Sequence, residues 1–70
     1  MKYIRKDNCL INIDKCVHFK IIEYESGIYS LWFQNENGYT DLMYETKEEA
    51  RQDLMKIEEF VTNEERLLKL

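Results

Sequence analysis

The sequence predicts a small α+β domain, in which an antiparallel β-meander of three to five strands precedes one C-terminal α-helix packed on one face. Three observations support this fold class. Runs of β-branched and aromatic residues occupy much of residues 1–44. After Thr46 the apolar spacing becomes that of a helix, and 70 residues leave room for one domain over 1–70. Turn signals separate the runs at Asp7-Asn8, Ser26-Gly27 and Asn37-Gly38.

Five segments before Thr46 have the composition of strands, namely 1–6, 10–13, 17–25, 28–34 and 39–44. We expect the first to be an edge strand in which Tyr3 and Ile4 are available for burial. Asp14 is placed to cap a single helical turn or a tight bend after the second segment. Consecutive hairpins then make the sheet antiparallel.

The helix begins at a capping box, Thr46-Lys47-Glu48-Glu49, in which the hydroxyl of Thr46 can accept the amide hydrogen of Glu49. Its apolar residues follow at helical spacing, with Phe60 on the flank of a stripe formed by Ala50, Leu54, Ile57 and Val61. A second cap-like pattern starts at Thr62, so the helix either breaks there or continues. Three leucines in the last four residues are many for a solvated tail.

The orientation of Trp32 is the main indication of function. Side chains alternate along a strand, so Leu31 and Phe33 share one face and Trp32 lies on the other. A two-residue turn at Asn37-Gly38 pairs Phe33 with Leu42 and Trp32 with Met43. We therefore expect Trp32 and Met43 to lie on the face that the helix leaves uncovered.

The neighbouring hairpin has two possible registers. A two-residue turn at Ser26-Gly27 places Ile21 and Phe19 beside Trp32, whereas a bulge or a longer loop places Ile22 and Tyr24 there. In both registers the uncovered face is apolar enough to indicate an interface or a ligand site. The predicted interface consists of Trp32, Met43, Phe19 and Ile21. The competing interpretation is that the N-terminal segment or the C-terminal leucines fold over this face.

The charge distribution argues against general nucleic-acid binding. Residues 1–20 hold five cationic and two acidic side chains, whereas residues 21–70 hold five and twelve. A net acidic surface does not neutralise phosphates. The basic N-terminal part can still hold a small anion, and the residues predicted for such a site are Lys2, Arg5, Lys6 and Tyr24.

Enzymatic chemistry is not expected. Cys16 and His18 share a strand face, but no third group orients them as a nucleophile and its base. With Cys9 they form a weak zinc pattern, so we expect no metal and no cofactor. No Gly-rich phosphate loop is present. We expect two reduced thiols and a cytosolic protein, because the sequence shows neither a signal peptide nor a membrane-spanning segment.

The segments "LINIDKCVHF", "NENG" and "YETKEEARQDL" resemble small uncharacterised proteins of Gram-positive bacteria and their phages. The resemblance extends from Leu10 to about Ile57 and implies a phage or mobile-element gene. Small phage proteins often act stoichiometrically. We therefore expect a non-enzymatic homo-oligomer that blocks a host protein, such as a defence protein. The alternative function is sequestration of a small anionic signalling molecule, such as a nucleotide, between subunits.

Overall fold

The computed structural model describes residues 1–70 and confirms the α+β class. The strands form two three-stranded sheets, which we call the first sheet (β2-β1-β6) and the second sheet (β3-β4-β5). The predicted meander is the second sheet, whereas the first sheet was not predicted. The elements in chain order are β1 (Tyr3–Lys6), β2 (Cys9–Asn12), β3 (Cys16–Glu23), β4 (Tyr29–Asn35), β5 (Gly38–Tyr44), α1 (Lys47–Val61) and β6 (Leu67–Lys69).

Strand β1 is the central strand of the first sheet, not the edge strand that the sequence predicts. It pairs antiparallel with β2 through the Asp7-Asn8 turn, where Asp7 has a φ of 52°. On its other side it pairs in parallel with β6, so that Ile4 lies beside Leu68. The C-terminal leucines are therefore part of a sheet, and Leu68 and Leu70 pack against the core.

A single 3-10 turn, Ile13–Lys15, connects β2 to β3. The turn is as predicted, but Asn12 caps it instead of Asp14, because the Asn12 side chain accepts the Asp14 amide hydrogen at 3.0 Å. The Asp14 carboxylate instead accepts the backbone N–H of Lys2 at 2.7 Å. Asp14 thus ties the start of β1 to the turn.

The hairpin of β4 and β5 has the predicted faces in a different register. Its central loop positions are Glu36 and Asn37, and Leu31 pairs with Leu42 instead of Tyr44. The Asn35 side chain accepts the Asn37 amide hydrogen at 2.9 Å, an Asx turn that starts the loop one residue earlier than a turn centred on Asn37-Gly38. The pairing shifts by two residues, and a shift of two leaves every side chain on its face.

The hairpin of β3 and β4 closes with a three-residue loop, Glu25-Ser26-Gly27. The Gly27 amide donates to the Tyr24 carbonyl at 3.0 Å, and Gly27 has a φ of 84°. This is a type I turn followed by a left-handed residue, for which glycine is suited. The longer loop pairs Ile21 with Leu31 and Phe19 with Phe33.

Helix α1 starts at the predicted capping box, where the hydroxyl of Thr46 accepts the Glu49 amide hydrogen at 3.2 Å. Its buried side consists of Ala50, Asp53, Ile57 and Phe60. The predicted stripe is therefore partly wrong: Phe60 is buried and Val61 is 38% exposed. The helix ends at Val61, and Asn63 then accepts the Glu65 amide hydrogen in a turn, so no second helix forms. No helix in the chain combines the length and the hydrophobicity needed to span a membrane.

The first sheet and α1 lie on the same side of the second sheet and share one core with it. The N-terminal segment and the C-terminal leucines therefore pack on the helix side, and they do not cover the face that carries Trp32. The core residues are Ile4, Ile11, Ile13, Leu31, Phe33, Leu42, Tyr44, Ala50, Ile57 and Phe60.

The buried position of Phe60 predicts a difference between two adjacent helix residues. Phe60→Ala should lower the free energy of unfolding by about 3–5 kcal/mol, because it leaves a cavity in the core. Val61→Ala should change it by less than about 1 kcal/mol. Urea denaturation followed by circular dichroism measures both, and a larger loss for the Val61 variant would contradict this helix orientation.

Candidate functional site

The candidate site is the side of the second sheet that faces away from α1, which we call the Trp32 face. Residues on this side alternate with the core residues along all three strands. Its members are His18, Lys20, Ile22, Tyr24, Ser30, Trp32, Gln34, Tyr39, Asp41 and Met43.

The Trp32 indole lies flat against the ring of Tyr39. The ring centroids are 3.8 Å apart and the planes differ by 11°. The Trp32 Nε1–H donates to Gln34 Oε1 at 3.2 Å, and the side-chain Nε2 of Gln34 donates to the backbone carbonyl of Gly38 at 2.9 Å. The indole is thus held in one orientation by a stack and by a chain of hydrogen bonds.

A polar cluster lies beside this stack. Ser30 is fully buried, and its hydroxyl donates to Asp41 Oδ2 at 3.4 Å. The hydroxyl of Tyr24 donates to the same oxygen at 3.4 Å. The carboxylate of Asp41 is therefore half-buried among hydroxyl donors, and it lies directly across the strand pair from Trp32.

The apolar part of the Trp32 face remains open to solvent. Tyr39 is 57% exposed and Met43 is 53% exposed, while Trp32 and Ile22 are half-buried. Exposed apolar side chains grouped on one sheet face are typical of interaction surfaces.

Two of the four predicted interface residues lie on this face. Trp32 and Met43 do, although Met43 pairs with Ser30 and not with Trp32. Phe19 and Ile21 were placed wrongly, because they lie on the helix side and pack against the core. The physical reason is the three-residue loop before β4, which shifts β3 by one residue relative to the two-residue turn.

Sequence reasoning left Ile22 and Tyr24 as the alternative neighbours of Trp32, and the structure selects them. It missed Tyr39 and Asp41 as parts of the face. The signal for Ile22 and Tyr24 is the position of Gly27, three residues after Tyr24, which suits a type I turn with a left-handed third residue. Which β5 residues lie beside Trp32 depends on the register of β5, and the Asx turn at Asn35 sets that register.

The residues predicted for an anion site are not brought together. The Lys2 ammonium donates to the carbonyl oxygens of Phe60, at 2.5 Å, and of Asn63, so it caps the end of α1. Arg5 is exposed on the outer side of the first sheet, and Tyr24 is on the Trp32 face. Lys6 points at the helix. The four side chains therefore have separate surroundings.

Lys6 belongs to a buried cluster with Asp53 and Tyr44. Its ammonium donates to Asp53 Oδ2 at 2.8 Å and lies 3.9 Å from the centroid of the Tyr44 ring. The Tyr44 hydroxyl donates to the same Asp53 oxygen at 2.5 Å. Burial alone would raise the pKa of Asp53, but the hydrogen bonds from Lys6 and Tyr44 hold that pKa below its usual value. Burial and the bond to Asp53 raise the pKa of Tyr44.

The thiols and the histidine form no site. A bulge between Cys16 and His18 places Cys16 toward the core and His18 on the Trp32 face, so the two do not share a face as the sequence predicts. Both cysteines are free, and burial raises the pKa of the Cys16 thiol, which disfavours the nucleophilic thiolate. No three His, Cys, Asp or Glu side chains are arranged to hold a metal ion.

The Asp53 cluster predicts a pH dependence of stability. Because the pKa of Asp53 is lowered in the folded state, its contribution is present above the unfolded value of about 3.9 and is lost as the pH falls through the folded value. Asp53→Asn should lower the free energy of unfolding by about 1–3 kcal/mol at pH 7. The difference from the parent chain should shrink at pH 3.

Urea denaturation at the two pH values provides the measurement. Glu58→Gln, a change at an exposed position on the same helix, is the control and should have little effect at either pH. A deficit of the Asp53 variant that stays constant between pH 7 and pH 3 would show that the charge of Asp53 does not stabilise the fold.

Comparison with known proteins gives no functional assignment. The chain matches no family model, no curated protein and no solved structure. What the protein does is therefore inferred from its own surfaces.

Proposed function

We propose that this chain is a non-enzymatic binding protein that acts stoichiometrically, as a homo-oligomer, and holds a partner protein on the Trp32 face. The observation that carries the proposal is the Trp32–Tyr39 stack. A hydrogen bond to Gln34 fixes the Trp32 indole, and the ring of Tyr39 is exposed to solvent. An anchor of this kind binds with little loss of side-chain entropy.

The composition of the face supports a protein as its partner. Tryptophan, tyrosine and methionine are enriched at protein interfaces, and charged residues are depleted in interface centres. Here the Trp32–Tyr39 stack and Met43 supply aromatic and apolar surface, and the two residues that pair with Trp32, Lys20 and Asp41, are charged. A fixed aromatic stack flanked by one cation and one carboxylate suits a protein surface.

The kind of partner follows from the resemblance to small phage proteins. Small phage proteins often act stoichiometrically, and the target that we propose for this chain is a host protein, such as a defence protein in the bacterial cytoplasm. Blocking of this type requires one binding surface for each molecule that is blocked. The resemblance supports this step by association.

Sequestration of a small anionic signalling molecule between subunits is less well supported. Lys2 and Lys6 donate hydrogen bonds within the chain. Of the three predicted cations, only Arg5 remains without such a contact, and it belongs to the first sheet, on the other side of the second sheet from the Trp32 face. We therefore favour a partner protein.

Substitution of the stacked tryptophan tests the proposal. Trp32→Ala should abolish partner binding, with the loss of an interface anchor worth more than about 2 kcal/mol, and should leave the fold intact. Met55→Ala is the matched control, because Met55 is 68% exposed on the helix, on the other side of the molecule. Native mass spectrometry of protein purified gently from a Gram-positive host measures both.

The parent chain and the Met55 variant should carry a host protein in a whole-number ratio, and the Trp32 variant should not. Retention of the same protein by the Trp32 variant would contradict the role of the face. A small-molecule adduct in place of a protein would instead establish sequestration. Since Trp32 is the only tryptophan, its fluorescence gives a second readout of binding.

A further inference from the structure

The second sheet ends in two edge strands, β3 and β5, which have different surroundings. The turn between β1 and β2 lies beside β5, and its residues Lys6 to Cys9 form a recess of about 400 Å³ with Asp41, Leu42 and Met43. β3 is the longest strand of the chain, with eight residues, and no strand pairs with its outer edge.

The backbone groups on the free edge of β3 can be located from the register. The Tyr24 amide donates to the Ile28 carbonyl at 2.9 Å, and bonded pairs recur at every second residue of an antiparallel ladder. His18, Lys20 and Ile22 therefore bond to β4. The N–H and C=O groups of Phe19, Ile21 and Glu23 point away from β4, toward the free edge.

Burial of the core is also incomplete at this edge. On the helix side of the second sheet, the core residues of β4 and β5 are buried, including Phe33 and Leu42. Phe19 and Ile21 of β3 pack against the same core but are only partly buried. The edge thus presents unpaired backbone groups together with apolar surface, which is the combination that another strand can cover.

We propose that β3 pairs antiparallel with β3 of a second copy of this chain, around a twofold axis at Ile21, so that two sheets join into one of six strands. This inference names the interface through which the homo-oligomer of the proposed function forms. It rests on the proposed function in one respect, that the chain is an oligomer. Ile21 lies opposite Ile21 of the partner subunit, and Phe19 lies opposite Glu23 of the partner subunit. About six backbone hydrogen bonds form.

The register follows from the side chains. An axis at Lys20 would place two ammonium groups directly opposite each other, which destabilises a strand pair. An axis at Phe19 would extend the pairing into the bulge between Cys16 and His18. With the axis at Ile21, Lys20 extends into solvent on the Trp32 face, and the partly buried Phe19 and Ile21 of both copies meet on the helix side.

A second copy fits this edge better than an unrelated peptide does. A twofold interface is self-complementary, so one edge provides both partners. The second copy also brings its own Ile21 to the axis, so that the remaining exposed surface of each Ile21 is covered by the other. The joined sheet carries two Trp32 faces on one side, and the dimer therefore presents two partner-binding surfaces.

A backbone-directed substitution tests the proposal. The amide of Glu23 points to the free edge, and its side chain is exposed, so Glu23→Pro removes one donor and blocks strand pairing at a position where an edge strand tolerates proline. Glu23→Ala removes the same side chain and keeps the amide. Sedimentation equilibrium should give a dimer for the parent chain and for the alanine variant, and a monomer for the proline variant.

Hydrogen exchange keeps the test decisive if the proline variant does not fold. In the parent chain at dimeric concentration, the amides of Phe19, Ile21 and Glu23 should exchange at least about tenfold more slowly than after dilution to monomer. The amides of Tyr39, Asp41 and Met43 point to the outer edge of β5 and are the internal control, with no dependence on concentration.

A parent chain that is monomeric at all concentrations would overturn the proposal, and so would a dimer that the proline substitution leaves intact or rapid exchange at Phe19, Ile21 and Glu23 in the dimer. A chain that is always monomeric would also contradict the homo-oligomer of the proposed function, but none of these results bears on partner binding by the Trp32 face. Conversely, Trp32→Ala should leave the dimer mass unchanged, so the two proposals can fail separately.

Discussion

The contact of Lys6 with Asp53 and Tyr44 joins the three parts of this fold. Lys6 ends β1, Asp53 lies on the buried side of α1, and Tyr44 ends β5. A buried carboxylate is stable only with a cation and hydrogen-bond donors beside it, and here a single oxygen receives both. This contact positions the first sheet and the helix over the same side of the second sheet.

Everything that covers the second sheet therefore lies on one side. A chain of 70 residues buries only about 60% of its unfolded surface, so it does not have enough material for a second covering layer. The C-terminal leucines, one of the two segments considered as a cover for Trp32, instead complete the first sheet beside β1. The Trp32 face stays open because the buried apolar residues outside the second sheet all pack on its other side.

The Trp32 face and the free edge of β3 are both uncovered because the chain has too few residues to cover them, but they differ in chemistry. The face offers a fixed aromatic stack and an exposed methionine, which suit another protein's surface. The edge offers backbone donors and acceptors, which suit a strand. Since strand pairing takes place in the plane of the sheet and the Trp32 face looks out of that plane, the proposed pairing of two copies leaves both faces free. Two faces on one dimer increase the strength of attachment to a partner that is itself repeated.

Local patterns determined the α+β class, the capping box at Thr46, the turn at Asp7-Asn8 and the face on which Trp32 lies. Each depends on neighbouring residues, and the face assignment survived a register shift of two because side chains alternate with a period of two. Only the tertiary structure decided the first sheet, because the pairing of β1 with β6 joins residues more than sixty positions apart. It also decided the burial of Asp53, whose charge is compatible with the core only beside Lys6. The loop at Gly27 is one residue longer than the two-residue turn, and it places Phe19 and Ile21 on the helix side. This one residue is the reason that the exposed surface of the fold contains Ile22 and Tyr24 instead of the predicted Phe19 and Ile21.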